Sequence, residues 1–558
     1  MRGKNWVKRV LAGVAGALMA VSLVGSCITG TELEKVSVVE AAERTVSFSS
    51  VTIQGSNVVA NVSCSSLPSS DDGKFYLYAD EVYQDGCVGT IVATADRASS
   101  AQFVFPLNLN ASGSNLSKKF IVAVKQGGSM VQVSNEHYIT NPEAVATHTV
   151  ARNDHGIKGI LPDQAKLGTT ELQELGVQQA IYNMYLENLC GPTTNDAYET
   201  ISYTYDGQTY QFNGAIVHEY DSIVSQWNSL GIQVTLVILN TQNTTNAAAA
   251  DLIHPDSQDG HECPGYAFNT ANDAGTQHLK AIAAFLGERY SGTGHGNVDN
   301  WIVGNEVNAR TEWYYLSSSN LDVNVSSYVK AFRIFYNGLK SQNANVNVYN
   351  SIDQEWNRKS NSGSFLSREY LDRFNYYITR EGNIDWDLSF HPYNAPLFDP
   401  YAWKGQAQYL STSITTPYIT MQNLNILVEY MHRSEMLAPD GSCRRISLAE
   451  LGYTSEFGEE YQNASIVYAY LMATSYPEVD SFMLFRQTDN AHEMESHLAL
   501  GLNNVDGSHK SSFYVYAALG TANQQTYVDQ ASSTIGTDVT SLVANRTFLT
   551  RGGWFLND

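Results

Sequence analysis

The chain has 558 residues, 43% of them hydrophobic and 16% charged, enough for two domains with full cores and unlike a disordered chain. Lys and Arg total 33 against 56 Asp and Glu, a formal net charge of −23. That balance argues against nucleic acid or an anionic membrane surface as a partner, because phosphate binding needs a concentrated basic surface.

The first residues read as an export signal. Arg2, Lys4, Lys8 and Arg9 form a positive start, and Val10 to Gly25 is apolar or small without a charge. The run is short for a membrane span of about 20 residues. It ends in Leu23-Val24-Gly25-Ser26-Cys27, which is similar to a bacterial lipoprotein processing site. The similarity implies that Cys27 is lipidated and becomes the new N-terminus; an ordinary cleaved signal in which Cys27 has no role is the alternative. Export to the cell surface or the medium is the expectation either way. Residues 28–45 are polar and read as a tether. Cys64 and Cys87 have an oxidising compartment available to them, yet spacing alone does not pair them, and free buried thiols are the default.

From residue 46 to 142 short alternating segments recur, including Val51–Ile53, Val58–Val62, Phe75–Tyr78, Phe103–Phe105 and Phe120–Val124. Gly, Ser, Asn and Asp clusters separate them, which predicts a small antiparallel β-sandwich.

From Val150 the rhythm becomes an apolar run followed by a helical pattern, eight times over. The strands are expected at Ile157–Leu161, Gln178–Leu186, Gln233–Leu239, Asn300–Val303, Val346–Ser351, Asp385–Phe390, Arg445–Ala449 and Ser481–Phe485. Helices are expected at Ala215–Leu230, Thr276–Tyr290, Ser326–Ser341, Leu366–Ile378, Met421–Leu437, Ala464–Tyr476 and Lys510–Ala518, with a hairpin at Tyr203–Phe212. Eight such units in residues 150–558 predict an α/β fold of the (β/α)8 TIM-barrel type. An open doubly wound sheet fits less well, since no Gly-rich phosphate turn follows the first strand.

In such barrels the chemistry sits just past the C-terminal ends of the strands. Strand four runs into Gly304-Asn305-Glu306, strand seven into Glu450-Leu451-Gly452, and strand six into His391-Pro392-Tyr393. A single strand-end Glu is more simply a helix cap or an ion-pair partner. Two on nearly opposite strands, with an imidazole and a phenol beside one of them, are the tools of glycoside hydrolysis: one carboxylic acid protonates the leaving oxygen, the other carboxylate meets the cationic centre.

Asn305-Glu306 and Glu450-Leu451-Gly452 resemble the signature of the clan A retaining glycosidases, which share the (β/α)8 barrel; the resemblance covers residues 150–520. It implies that Glu306 is the acid/base, Glu450 the nucleophile and Asn305 a ligand of the sugar 2-hydroxyl. His391 and Tyr393 match a strand-six His-x-Tyr of several families in the clan, where the Tyr hydrogen-bonds the nucleophile. The chain departs from the pattern in two places. Asn183 and Tyr185 stand where many members carry an Arg on strand two, and Phe485-Arg486 stands where many carry a Trp. Arg486 is the candidate to replace the missing Arg.

Sugars stack their C–H faces on rings and bond their hydroxyls to amides and carboxylates. Strand-end candidates for that role are Trp313, Trp356, Trp403, Asn240 and Asp353. His492-Glu493-Met494-Glu495-Ser496-His497 has one residue too many for a helical zinc pair, and Leu502 stands where a calcium loop ending in Asn504-Val505-Asp506-Gly507 needs its first Asp. The reading is a glycosidase needing no cofactor and no metal, acting on β-linked oligo- or polysaccharide. A barrel that binds carbohydrate without turning it over, and an adhesin acting through the sandwich, are the alternatives.

Overall fold

The computed structural model describes residues 44–109, 111–242 and 246–551; the signal, Cys27 and nearly all of the tether lie outside them. Seven short strands come first: β1 (Val46–Gln54), β2 (Asn57–Cys64), β3 (Lys74–Asp80), β4 (Thr90–Asp96), β5 (Ser100–Pro106), β6 (Lys119–Gln126) and β7 (Ser129–Gln132). They form two antiparallel sheets, β1-β2-β5 and β4-β3-β6-β7. Alternate residues such as Val58, Ala60 and Val62 from one sheet, and Phe75, Leu77, Phe120 and Val122 from the other, fill the space between them. β4 and β7 were not expected from the sequence. Each is an edge strand with mostly exposed side chains, so neither carries the apolar alternation that marks a half-buried strand.

The remainder is the closed barrel. β8 (Lys158–Ile160) and β9 (Gln179–Tyr185) are followed by the hairpin β10 (Ile201–Tyr205) and β11 (Gln208–Phe212). Then come β12 (Gln233–Leu239), β13 (Asn300–Val303), β14 (Asn347–Asp353), β15 (Asp387–His391), β16 (Ile446–Leu451) and β17 (Val479–Leu484). β12 through β17, β8 and β9 pair in parallel around the ring, and β17 meets β8 to close it. The eight expected strands are these eight, within a few residues at each end.

Alternation along each strand sorts side chains between two cores. Leu236 and Ile238 of β12, and Trp301 and Val303 of β13, point out into the cluster shared with the helices. Val237, Leu239 and Ile302 point in, where they meet Ile181, Tyr349, Ala449 and Met483. The barrel is therefore a packed plug and not a pore, and a ligand has access only at its ends.

Most expected helices are found, as Gly214–Ser229, Asp273–Arg289, Leu321–Lys340, Ser367–Arg380, Glu459–Thr474 and Ser511–Ala518. The stretch expected as one helix over 421–437 is a 3-10 turn, Met421–Asn423, capped by Thr420, and then the short helix Asn425–Met431. Helices Gln524–Ile535 and Val539–Arg551 were missed; Val528 and Ala531 are the residues the first of them buries, too few to give an apolar stripe. The sandwich docks on the helical layer. Asn337 Nδ2 donates to Leu116 O at 2.8 Å, the Arg333 guanidinium lies 4.6 Å from the Tyr138 ring centre, and Lys280 pairs with Glu81. Cys64 and Cys87 are unbridged.

Candidate active site

Glu450 reaches the barrel mouth because β16 is bulged. Leu448 pairs with Phe482 and Leu451 with Leu484, so three steps along β16 match two along β17. Leu448 and Leu451 both face the helices, which strict alternation forbids three residues apart. The extra residue leaves Ala449 and Glu450 both turned inward, Ala449 into the interior plug and Glu450 above it. A regular strand ending in Ala-Glu-Leu would send Glu450 out among the helices.

Glu306 is placed by a different device. After β13 the chain turns through Gly304 at φ 79° and Glu306 at φ 39°. A side chain at Gly304 would meet Val307 at 2.9 Å, so the turn needs glycine there. At Glu306 the left-handed conformation costs about 1–3 kcal/mol. It is held from β14: the Glu306 N–H donates to Ser351 Oγ at 3.1 Å and the Val307 N–H to Ser351 O at 2.9 Å.

The two carboxylates meet at one imidazole. His391 Nδ1 lies 2.8 Å from Glu306 Oε1 and 3.9 Å from Glu450 Oε2. Those two oxygens are therefore within about 7 Å of each other, a bound that contains the roughly 5–5.5 Å spacing of retaining enzymes and reaches only the short end of the inverting range. Tyr393 donates its hydroxyl to Glu450 Oε1 at 2.8 Å.

Their surroundings push the two acids apart. Burial raises Glu306 well above the usual carboxylate range, and the negative charges of Asp353 and Glu312 push the same way. Glu450 is raised by burial too, and by Glu306 and Glu493, but His391 and the Tyr393 hydroxyl pull it back. Burial holds His391 below its ordinary value. Both carboxyl groups are therefore raised, Glu306 by causes that all push upward and Glu450 against two that pull it down.

Asp353 ends β14 as the register partner of His391. Its Oδ1 accepts from Ser367 Oγ at 2.6 Å and from the Glu355 N–H at 2.8 Å. Glu355 behind it is pushed up to about 8 by burial and by Asp353. Among the described residues no group of three or more His, Cys, Asp or Glu is arranged to hold a metal.

The other sequence candidates divide. Asn305 is half-buried beside Glu306, and Tyr185 packs on the rim of the interior plug with Asn183 two residues before it on β9. Trp313 and Trp403 keep part of their surface in solvent, Trp403 edge-on to Tyr401 with centroids 5.4 Å apart. Trp356 is not a sugar platform. It is fully buried, edge-on to Tyr430, with Nε1 donating to Ile414 O at 3.1 Å, so no ligand can reach its face. Asn240 is committed to structure: its Nδ2 donates to Leu252 O at 2.9 Å and Ala267 O at 3.1 Å, pinning the loop after β12. Arg486 does not support Glu450. It pairs with Glu493 at 2.7 Å, and the support expected from it comes from Tyr393. Ser351, Glu312 and Glu493 were not singled out as site residues by sequence; Glu493 drew notice only inside the rejected His-Glu motif.

A family model described as a family of unknown function, DUF5722, matches residues 150–543, the greater part of the chain and nearly all of the barrel. The chain belongs to this family. No curated protein matches the DUF5722 chain by sequence. Several solved structures are similar at low identity. A β-glucuronidase from Bacteroides uniformis is 11% identical with a TM-score of 0.38, and the match covers 85% of this chain and 49% of that one. The DUF5722 chain thus spans about half the length of that protein. A family 5 xyloglucanase from Paenibacillus pabuli is 12% identical, TM-score 0.38, covering 67% and 99%. An endo-1,4-β-mannanase from Rhizomucor miehei is 12% identical, TM-score 0.40, covering 68% and 95%.

Proposed function

We propose that the protein is a retaining glycoside hydrolase acting on β-linked glycans, exported and anchored at the cell surface through Cys27. The observation that carries the hydrolase reading is the pair Glu306 and Glu450, set on opposite sides of the barrel mouth and converging on His391. Glu306, kept protonated by burial and by Asp353, donates its proton to the leaving oxygen. Glu450, held by Tyr393, attacks the anomeric carbon and forms a glycosyl-enzyme. Glu306, now ionised, takes a proton from the water that releases the sugar with net retention. In this reading Asn305, next to Glu306 in the chain, bonds the 2-hydroxyl of the sugar. The basic and then apolar N-terminal signal pattern and the −23 net charge support export.

The test is a panel of aryl β-glycosides and β-linked polysaccharides, with the anomeric configuration of the first product followed by proton NMR. Initial release of the β-anomer supports the reading; initial release of the α-anomer means that water, not Glu450, attacks, and turnover of nothing removes hydrolysis altogether.

The alkaline limb of kcat/KM against pH reports the acid in the free enzyme. Asp353→Asn keeps the Ser367 hydrogen bond while removing one of the negative charges that raise Glu306. The acid then loses its proton at lower pH, and the alkaline limb moves down by about one pH unit. An unmoved limb means that Asp353 does not set the proton affinity of Glu306.

A further inference from the structure

Two phenylalanines stand in solvent on the mouth side of the barrel. Phe398, on the loop after β15, is 37% exposed, and Phe457, on the loop after β16, is 50% exposed. Loops that follow parallel strands lie on the face where the strands end, and β15, β16 and β17 are neighbours in the ring. The loop after β17 joins the two rings. Its His497 meets Phe398 edge-on with centroids 6.5 Å apart, and His497 Nδ1 lies 2.7 Å from Oε2 of Glu456, the residue before Phe457. His497 holds φ 64°, a left-handed backbone that a non-glycine residue adopts at a cost. The imidazole is 65% exposed and the Glu456 side chain 26%, so both keep polar edges in water. Tyr401 and Tyr461, edge-on at 5.1 Å, join the loop after β15 to the helix Glu459–Thr474.

Direct contacts tie this patch to Glu450. Tyr393, which donates to Glu450 Oε1 at 2.8 Å, shares an apolar cluster with Leu498 and Leu500, and Leu397 packs against that cluster. Phe398 follows Leu397, and His497 precedes Leu498. From Tyr393 to Phe398 the chain can span at most about 18 Å. Gly452, two residues past Glu450, lies so close to Leu500 that an added Cβ would sit 3.3 Å from the Leu500 Cβ, and the Ser455 N–H donates to Ala499 O at 3.0 Å. A glycan whose reacting sugar sits over Glu450 therefore reaches the patch within a few sugar units. A lone exposed Phe is ordinary. Two of them on one rim, linked by an imidazole and a carboxylate, offer rings to the C–H faces of a sugar and polar edges to its hydroxyls.

Resting on the glycosidase reading, we propose that Phe398 and Phe457, joined by the His497–Glu456 pair, form a distal sugar-binding subsite. The rings stack on a sugar a few units from the bond that breaks, and the pair bonds its hydroxyls. The substrate class is then a β-linked oligo- or polysaccharide whose chain runs out over the ends of β15, β16 and β17, and not a single glycoside.

The experiment measures kcat/KM on a length series of one β-linked glycan, from the aryl monoglycoside to the hexasaccharide, for wild type, Phe398→Ala, Phe457→Ala, the double variant and Phe457→Trp, with melting temperature as the check on folding. Wild type is expected to favour the hexasaccharide over the aryl monoglycoside, and each alanine to lower that ratio by about tenfold, chiefly through KM. Phe457→Trp, which keeps a ring, should hold the ratio. The two single variants carry the test if the double one does not fold. No gain with length in wild type, or the wild-type ratio in folded alanine variants, overturns the proposal while leaving the hydrolase reading intact. If no glycan turns over, that reading fails, and binding decides the proposal separately, by electrophoresis through gels holding mixed-linkage β-glucan, xyloglucan, xylan or β-mannan. At least one of these should retard wild type, and the double variant, or each single variant if it does not fold, should lose most of that retardation. Retardation by none, or equal retardation of both proteins, overturns it. A dimer in sedimentation that the alanine variants dissolve gives the patch to a second copy of the chain and overturns it as well.

Discussion

Glu450→Gln is expected to lower kcat by on the order of 10⁴-fold or more, about 5.5 kcal/mol of barrier, with little change in melting temperature. The size follows from the role. A neutral amide neither forms the glycosyl ester nor places negative charge under the oxocarbenium-like centre, so both functions go at once. The fold survives because the amide has nearly the shape of the acid and its oxygen still accepts from Tyr393. A smaller replacement, Glu450→Gly, separates nucleophile from bystander. It leaves a hole on the face that Glu450 occupied, and added azide should enter it, attack the anomeric carbon and give a glycosyl azide of the opposite configuration. Azide rescue with inverted product fixes Glu450 as the nucleophile; loss without rescue, from a folded variant, removes it from that role. The measurements are initial rates on an activated aryl glycoside and NMR of the product.

The barrel was legible because its strands are buried on both faces and read as unbroken apolar runs, such as Gln233–Leu239, while its helices carry stripes. The two carboxylates were legible for a related reason: a charge directly after such a run, as at Val303 to Glu306, has few structural explanations. What failed depends on tertiary context. Trp356 follows its strand like the other aromatic candidates, and only the chain folding back to Ile414 and Tyr430 buries it. Arg486 was given to Glu450 on position, but its partner is Glu493, a residue that the sequence offered only inside a failed zinc motif. The bulge that turns Glu450 inward leaves no mark in Ala-Glu-Leu itself, since it is a mismatch with β17 and not a property of one strand. Edge strands and sparse helices were missed because they bury too little to show a period.

Glu306→Ala is expected to split substrates by leaving group, which a merely structural residue would not do. An alkyl glycoside or a natural glycan needs a proton on its departing oxygen, and should lose roughly 10²–10⁴-fold in kcat/KM. A dinitrophenyl glycoside departs as a stable anion without that proton, so its kcat/KM should fall little, because Glu450 with Tyr393 is intact and still attacks. The second half-reaction tells a different story, since water then lacks its base. The glycosyl-enzyme should accumulate, seen as a burst of dinitrophenolate followed by slow turnover and as a mass increase of one sugar on the protein. The alkaline limb of the pH profile should vanish, because the group whose raised proton affinity sets it is gone. His391 makes the comparison sharper. Its Nδ1 sits 2.8 Å from Glu306, so surviving dinitrophenyl activity also shows that the mouth has not collapsed when that contact is lost. An equal loss on activated and unactivated substrates, with no burst, would assign the proton to some other group and leave Glu306 as a brace for His391.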